Sequence, residues 1–275
     1  MVKGTSPLGL DLREIGRKPE NPEMLREFRA DLHIHSCLSP CASLDLSPRK
    51  IVRQAQAAGL DMIAVTDHNS ARNTPAILRL GEARGLAVIP GMEVQTREEI
   101  HLLTLFPGWP AAAAWEEEIR RHLPEVPNPA EVLGDQPIVD EEDNVLGFEE
   151  RLLLNSVDLS LEEIISRVEE RGGLTIPSHF DKGSFSLISQ LGLIPQGLEV
   201  AALEVSRKER PGERSEVPGG FSWIVSSDAH RLEEIGSAWT VFRLAAPTLE
   251  ELGLALRGQA GRRIARRIDR GAILW

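Results

Sequence analysis

Tyrosine is missing from this chain of 275 residues, and only two cysteines, Cys37 and Cys41, are present. The first absence, with so few thiols, leaves catalytic duty mainly to histidine, carboxylates or serine. The second excludes a disulfide-built secreted scaffold. No apolar run approaches the roughly 20 residues that a membrane span needs, and the opening stretch MVKGTSPLGLDLREIGRKPE does not read as a signal peptide. These absences predict a soluble, cytoplasmic protein with no membrane partner. Lysine is scarce as well: five residues among 31 basic ones, against 42 acidic, for a formal net charge of −11. Repulsion of that sign disfavours the salt-driven grip on long nucleic acid. The argument has a local exception, because bound metal ions add positive charge where they sit.

What the chain does have is a rhythm. Its length suits one large α/β domain or two modest ones. Residues 28–35 read as a strand, and Ser47-Pro48 reads as an N-cap with proline at the first helical position, opening a helix over 48–58 that Gly59 stops. A strand over 60–65, a helix opened by Thr74-Pro75, and strands over 86–90 and 100–106 follow. Residues 107–159 break the pattern with Gly108-Trp109-Pro110, an alanine run, then Pro124, Pro127 and Pro129, and the acidic run Asp140–Asp143. This excursion reads as a surface insertion in preference to a lid. Periodicity resumes at Ser160-Leu-Glu-Glu163, a capping box, with strands expected over 174–177, 198–205, 221–225 and 238–244, and a last helix from Thr248. Such alternation argues for a parallel sheet, and about seven units point to a closed (β/α) barrel. Residues 1–27 read as an N-terminal arm and 28–275 as the barrel domain.

The placement of histidine is the most informative feature. Of seven histidines, six fall within or just beyond an expected strand: His33, His35, His68, His101, His179 and His230. The carboxyl ends of strands form the functional face of α/β barrels and sheets. His122, on an expected helix, reads as an ordinary solvated residue. His33 and His35 are two residues apart and share one side of their strand with Asp31, and Asp228 and His230 repeat the spacing. Adjacent imidazoles make poor core filling, because each ring nitrogen needs a hydrogen bond or a metal. Glu93 lies near them in the same pattern, and one carboxylate can bridge two cations. A donor set rich in histidine with two or three carboxylates suits zinc, manganese or iron, not calcium.

These residues, in this order, resemble the PHP (polymerase and histidinol phosphatase) family of metal-dependent phosphoesterases. Asp31-Leu-His-Ile-His35 is similar to its first motif and Thr66-Asp-His-Asn69 to its second. Glu93 with His101, then His179, then Asp228-Ala-His230 resemble the rest. Within the family the chain looks most like the small stand-alone members of the tryptophan-operon-linked type. The resemblance implies a distorted seven-stranded TIM-like barrel and a centre of two to three divalent metal ions. By position, His33, His35, Glu93 and Asp228 would hold one ion, His68 and His230 a second, and Glu93, His101 and His179 a third. The family supplies Asp or His to the second ion from five or six residues beyond the second histidine. This chain has Pro40 and Cys41 there, so Cys41 is either a thiolate ligand or a spectator, with Asp45 a weaker substitute.

The expected chemistry is phosphate-ester hydrolysis of a small phosphorylated substrate, a phosphomonoester or nucleotide, by a hydroxide that two cations share. No protein nucleophile is needed. Lys182 and Arg207 are candidates to bind the phosphate and Asn69 to contact substrate or water, while Asp31 and Asp67 read as acceptors that orient histidines. The alternative is an exonuclease on short or single-stranded nucleic acid, with Trp109 and Trp115 as the nearest stacking aromatics. A non-enzymatic metal-binding module is the third reading.

Overall fold

Three parallel strands build the part of the molecule that carries His33, His35, His68 and Glu93. In the computed structural model, which describes residues 24–206, 217 and 219–274, these are β1 (Arg26–Ile34), β2 (Met62–Val65) and β3 (Ala87–Gln95). They are joined by α1 (Pro48–Ala57) and α2 (Thr74–Arg84). Proline sits in the first turn of each helix, where its missing N–H costs no hydrogen bond. α1 buries Pro48, Ile51, Val52 and Ala55, a stripe at helical spacing, against the sheet. Gly85, at φ +69°, ends α2 in the left-handed conformation that glycine adopts without strain.

From β3 onward the direction of pairing changes. β4 (His101–Leu105) runs antiparallel to β3. The expected parallel sheet is thus corrected to a mixed one. Residues 96–100 are too few for a crossover, which takes a dozen or more, so the chain can only return as a hairpin. After the excursion, which holds α3 (Trp109–His122), α4 (Ala130–Leu133) and the hairpin of β5 (Pro137–Val139) and β6 (Val145–Phe148), helix α5 (Leu161–Glu169) starts at the complete capping box of Ser160 and Glu163. It leads to β7 (Leu174–Pro177), antiparallel to β4. The short α6 (Leu187–Leu191) follows.

The strands expected over 198–205 and 221–225 shrink to β8 (Leu203–Glu204) and β9 (Trp223–Ile224), paired parallel with each other. β10 (Ala238–Leu244) then pairs antiparallel with the free side of β1, α7 (Leu249–Leu256) is capped by Thr248, and β11 (Arg263–Asp269) and β12 (Ala272–Leu274) extend the sheet outward. The main sheet has eight strands in the order β12-β11-β10-β1-β2-β3-β4-β7.

The β8–β9 pair sits across the gap between β7 and β10. Ala201 N donates to Thr175 O at 3.0 Å on one side. On the other, Thr240 Oγ1 accepts from Val225 N and donates to Val225 O. Barrel closure therefore runs through single backbone and side-chain bonds where a regular barrel has a ladder. The fold is an α/β distorted TIM-like barrel, as expected, with a weak seam.

The excursion is not a plain surface insertion. Trp115, Ile119, Leu123, Leu153, Val157 and Leu159 are buried and belong to a core cluster with Met92, Val94 and Leu102 of β3 and β4. Burial of that apolar area, worth about 25 cal/mol per Å², ties the segment to the sheet. Among the described residues no helix is long and apolar enough to cross a membrane.

Candidate metal centre

At the carboxyl ends of β1, β2 and β3 the backbone is stitched so that distant motifs meet. Isolated bridges join His68 to Glu93 and Ile34 to Ala229. His35 N donates to Ala229 O at 3.0 Å. Glu93 is the hub. Its two oxygens lie 3.3 Å from His33 Nε2, 3.5 Å from His35 Nε2, 3.1 Å from His68 Nδ1, 3.3 Å from His101 Nδ1 and 3.6 Å from His179 Nε2. Asp228 Oδ1 is 3.4–3.6 Å from His33, His35 and His230. All six strand-end histidines meet in one cluster. His122 stands apart on α3, paired with Asp158 and Arg167.

The outward nitrogens explain why the inward ones are lone pairs. His33 Nδ1 lies 2.9 Å from Glu204 Oε2 and His101 Nε2 3.2 Å from Gln95 Oε1. Gln95 Oε1, assigned as the amide oxygen, can only accept. His230 Nδ1 lies 2.9 Å from the Asp228 carbonyl. His35 Nδ1 meets Ser39 Oγ at 3.2 Å, and that hydroxyl already donates to Asp67. In its neutral form each of these four rings can give its proton outward and turn an acceptor inward, the arrangement of a metal-ligating histidine.

Electrostatics agree. Burial pushes His35 and His179 down to about 4, His35 further through His230, and it lowers His68 as well. Burial opposes charge on His33 too, yet Glu204, Glu93 and Asp228 together hold its pKa well above the usual range. Glu93 and Asp228 stay ionised despite burial, held down chiefly by the surrounding histidines. Two nitrogens, His33 Nε2 and His35 Nε2, approach to 3.2 Å, and His68 Nδ1 and Glu93 Oε1 are buried without a hydrogen-bond partner. Convergent buried acceptors with few protons between them are costly unless a cation satisfies them. The donor set fits divalent metal. Three groups have their ligand atoms within 4.8 Å of one another: His33, His35 and Glu93; His68, Glu93 and His101; and His35, Cys41, His68 and His230.

The remaining candidates divide. Cys41 joins the cluster, whereas Asp45 turns away to pair with Lys50 at the surface. Lys182 stands at the rim with Nζ 3.6 Å from Asp228. Arg207 lies outside the described residues, as does most of the expected N-terminal arm. Asn69 is engaged by the protein at both ends of its amide: Nδ2 donates to Leu153 O and Asn155 O, and Oδ1 accepts from Gln95 N. It ties the excursion to the site and has no free group for substrate. Asp31 and Asp67 support the site by holding backbone loops, not imidazoles. Asp31 accepts from Ser227 N and Gly236 N, and Asp67 from Ser36 and Ser39. Trp115 is buried with its indole N–H on Thr104 and offers no stacking face, while Trp109 is half-buried against the core.

Glu204 is the residue that sequence reading missed. It is buried on β8 and accepts from both His33 Nδ1 and His179 N. The available signal was a lone carboxylate inside the apolar run Ala201-Ala-Leu-Glu-Val205.

Comparison with known proteins agrees with this geometry. Residues 31–157 match the PHP domain and residues 220–260 the PHP-associated family. An uncharacterized protein of Methanocaldococcus jannaschii is 33% identical over 104 residues, covering 34% of this chain and 60% of that protein. The lesion-specific endonuclease EndoQ from Pyrococcus furiosus shares the fold with a TM-score of 0.66 at 19% identity, over 88% of this chain and 58% of that one. A two-domain protein from Bacteroides vulgatus, described as containing a PHP-like metal-dependent phosphoesterase, aligns with a TM-score of 0.54 at 14% identity, over 94% of this chain and 69% of that one. The chain thus spans about three fifths of the first two relatives. With its motifs converging as they do, the chain carries a PHP domain over residues 31–157 and a PHP-associated segment over residues 220–260.

Proposed function

We propose that the chain hydrolyses a small phosphorylated molecule, a phosphomonoester or nucleotide, using two to three divalent ions held by this cluster. The observation that carries the reading is the convergence of six imidazoles on Glu93 and Asp228, with His33, His35 and His101 each engaged by the protein through the opposite ring nitrogen. His33, His35, Glu93 and Asp228 would hold one ion and Glu93, His101 and His179 another. Divalent ions there supply Lewis acidity toward phosphoryl oxygens and make water acidic enough to react near neutral pH. The protein's own part is positioning. Glu204 fixes the His33 ring, and Lys182 presents a cation at the rim to a phosphate oxygen. The nearby hydroxyls of Ser36 and Ser39 donate to Asp67, so neither is offered as a nucleophile. The net charge of −11 favours a small substrate over a long polyanion.

A second reading, cleavage at the end of short single-stranded nucleic acid, gains support from Phe185. Its ring stacks on His101 at 4.8 Å and 13°, yet the residue is 39% exposed, leaving a flat face on which a base can stack. Turnover of a panel of sugar phosphates, nucleotides and a short labelled oligonucleotide separates the two. Turnover of small esters, lost with chelator and restored by manganese or zinc, is expected. Cleavage of the oligonucleotide alone selects the second reading, and no metal-dependent turnover of any of them contradicts both.

A further inference from the structure

The metal positions in this cluster differ in donor chemistry. Those built on Glu93 are nitrogen and carboxylate sites, which suit manganese, iron or zinc alike. The third group, His35, Cys41, His68 and His230, contains no carboxylate, and its one anionic donor is sulfur. Each imidazole in it is already arranged: His35 and His230 are engaged through Nδ1 by Ser39 and the Asp228 carbonyl, and His68 Nδ1 is buried with no hydrogen-bond partner. The rings of His68 and His230 lie 4.6 and 4.3 Å from that of His35. Cys41 reaches this group from the loop after β1. Ala42 N bonds Ser39 O and Ser43 N bonds His230 O on either side of it, so the loop is fastened to the segment carrying His230.

We propose that Cys41, His68 and His230, alongside His35, whose one inward nitrogen serves the neighbouring ion, form a thiolate-containing position selective for zinc-class ions, so that the centre is built for unlike metals. The inference rests on the phosphoesterase reading and deepens it. Binding forms one metal–sulfur bond and releases the Cys41 thiol proton to solvent, with no change of oxidation state. Two neutral nitrogens and one thiolate suit a tetrahedral zinc with an open fourth position, and thiolate disfavours manganese and magnesium. The other cysteine, Cys37, is buried beside Asn73 and serves as a control.

Cobalt(II) loading tests this without reference to turnover. The wild-type chain should show a near-ultraviolet thiolate-to-cobalt charge-transfer band. Cys41→Ser should lose it while keeping the visible bands of cobalt at the nitrogen and carboxylate positions, and Cys37→Ser should leave it intact. In metal analysis after competition between zinc and manganese, Cys41→Ser should lose about one equivalent of zinc, and Cys41→Asp should take manganese in its place. Cobalt bound with no such band, or a band that survives in Cys41→Ser, overturns this inference and leaves the phosphoesterase reading standing. A chain that takes up no cobalt overturns both.

Discussion

Ligand candidates borne by strands and those borne by loops are held in place by different means. His33, Glu93 and His101 sit in β1, β3 and β4, where ladder hydrogen bonds and the period of two fix their direction. Cys41, His68, His179, Asp228 and His230 sit on loops. Two of these have left-handed backbones, His179 at φ +31° and Asp228 at φ +48°, conformations uncommon for residues other than glycine. What holds them is a layer of buried acids. Asp31 anchors the loop of Asp228, Asp67 the loop of Cys41, Glu204 the start of the loop after His179, and Glu116, through Ser70 and Ala71, the loop of His68. The lesson is that strands give direction at no extra cost, while each ligand-bearing loop is fastened by an acidic acceptor.

Breaking the shared hub should have the largest effect. Glu93→Gln removes the charge toward which five histidines point, and metal content by elemental analysis should collapse. Turnover should fall by about a thousandfold, the equivalent of several kcal/mol of transition-state stabilisation.

The loop supports should give intermediate effects. Burial pushes the Glu116 carboxyl up to about 7, against the hydrogen bonds from Ala71 and Ser70. Its folded pKa thus exceeds the unfolded value near 4.5, and the folded state holds this proton more tightly. This contribution to stability is fully present below pH 4.5 and is lost as pH rises through 7, by on the order of 3 kcal/mol. In metal-free protein, denaturant midpoints for wild type and Glu116→Gln should therefore diverge with rising pH, with the variant the flatter. Parallel curves would remove Glu116 from the comparison.

Glu204→Gln should sharpen it, since this residue serves one strand-borne and one loop-borne histidine. Metal affinity from competition with a chelator should fall by about 10–100-fold with the fold intact. The smallest effect belongs to Asp45→Ala. Its exposed pair with Lys50 is worth roughly 0–1 kcal/mol, and metal content should not change.

Legibility in the sequence followed the same division. The strands carrying paired histidines, the proline-opened helices and the capping box at Ser160 were readable, because short-range patterning specifies them. Antiparallel β4 was not, since an expected third strand ending at Pro90 hides that only residues 96–100 separate β3 from β4. The β5–β6 hairpin lay hidden among prolines and acids, and β11 behind the arginines of Arg262-Arg-Ile-Ala-Arg-Arg267, whose charged ends mask the strand pattern. The imidazoles of the site were legible because histidine at strand ends is conspicuous. Their supports were not, because an Asp or Glu that accepts from backbone N–H groups far along the chain has no local signature.

The most direct test of the central claim is anomalous diffraction from crystals of the full chain grown with zinc. The account predicts anomalous peaks inside the ring formed by His33, His35, His68, His101, His179 and His230, within coordination distance of Glu93. Zinc bound elsewhere, with those imidazoles hydrogen-bonded only to protein and water, would contradict it.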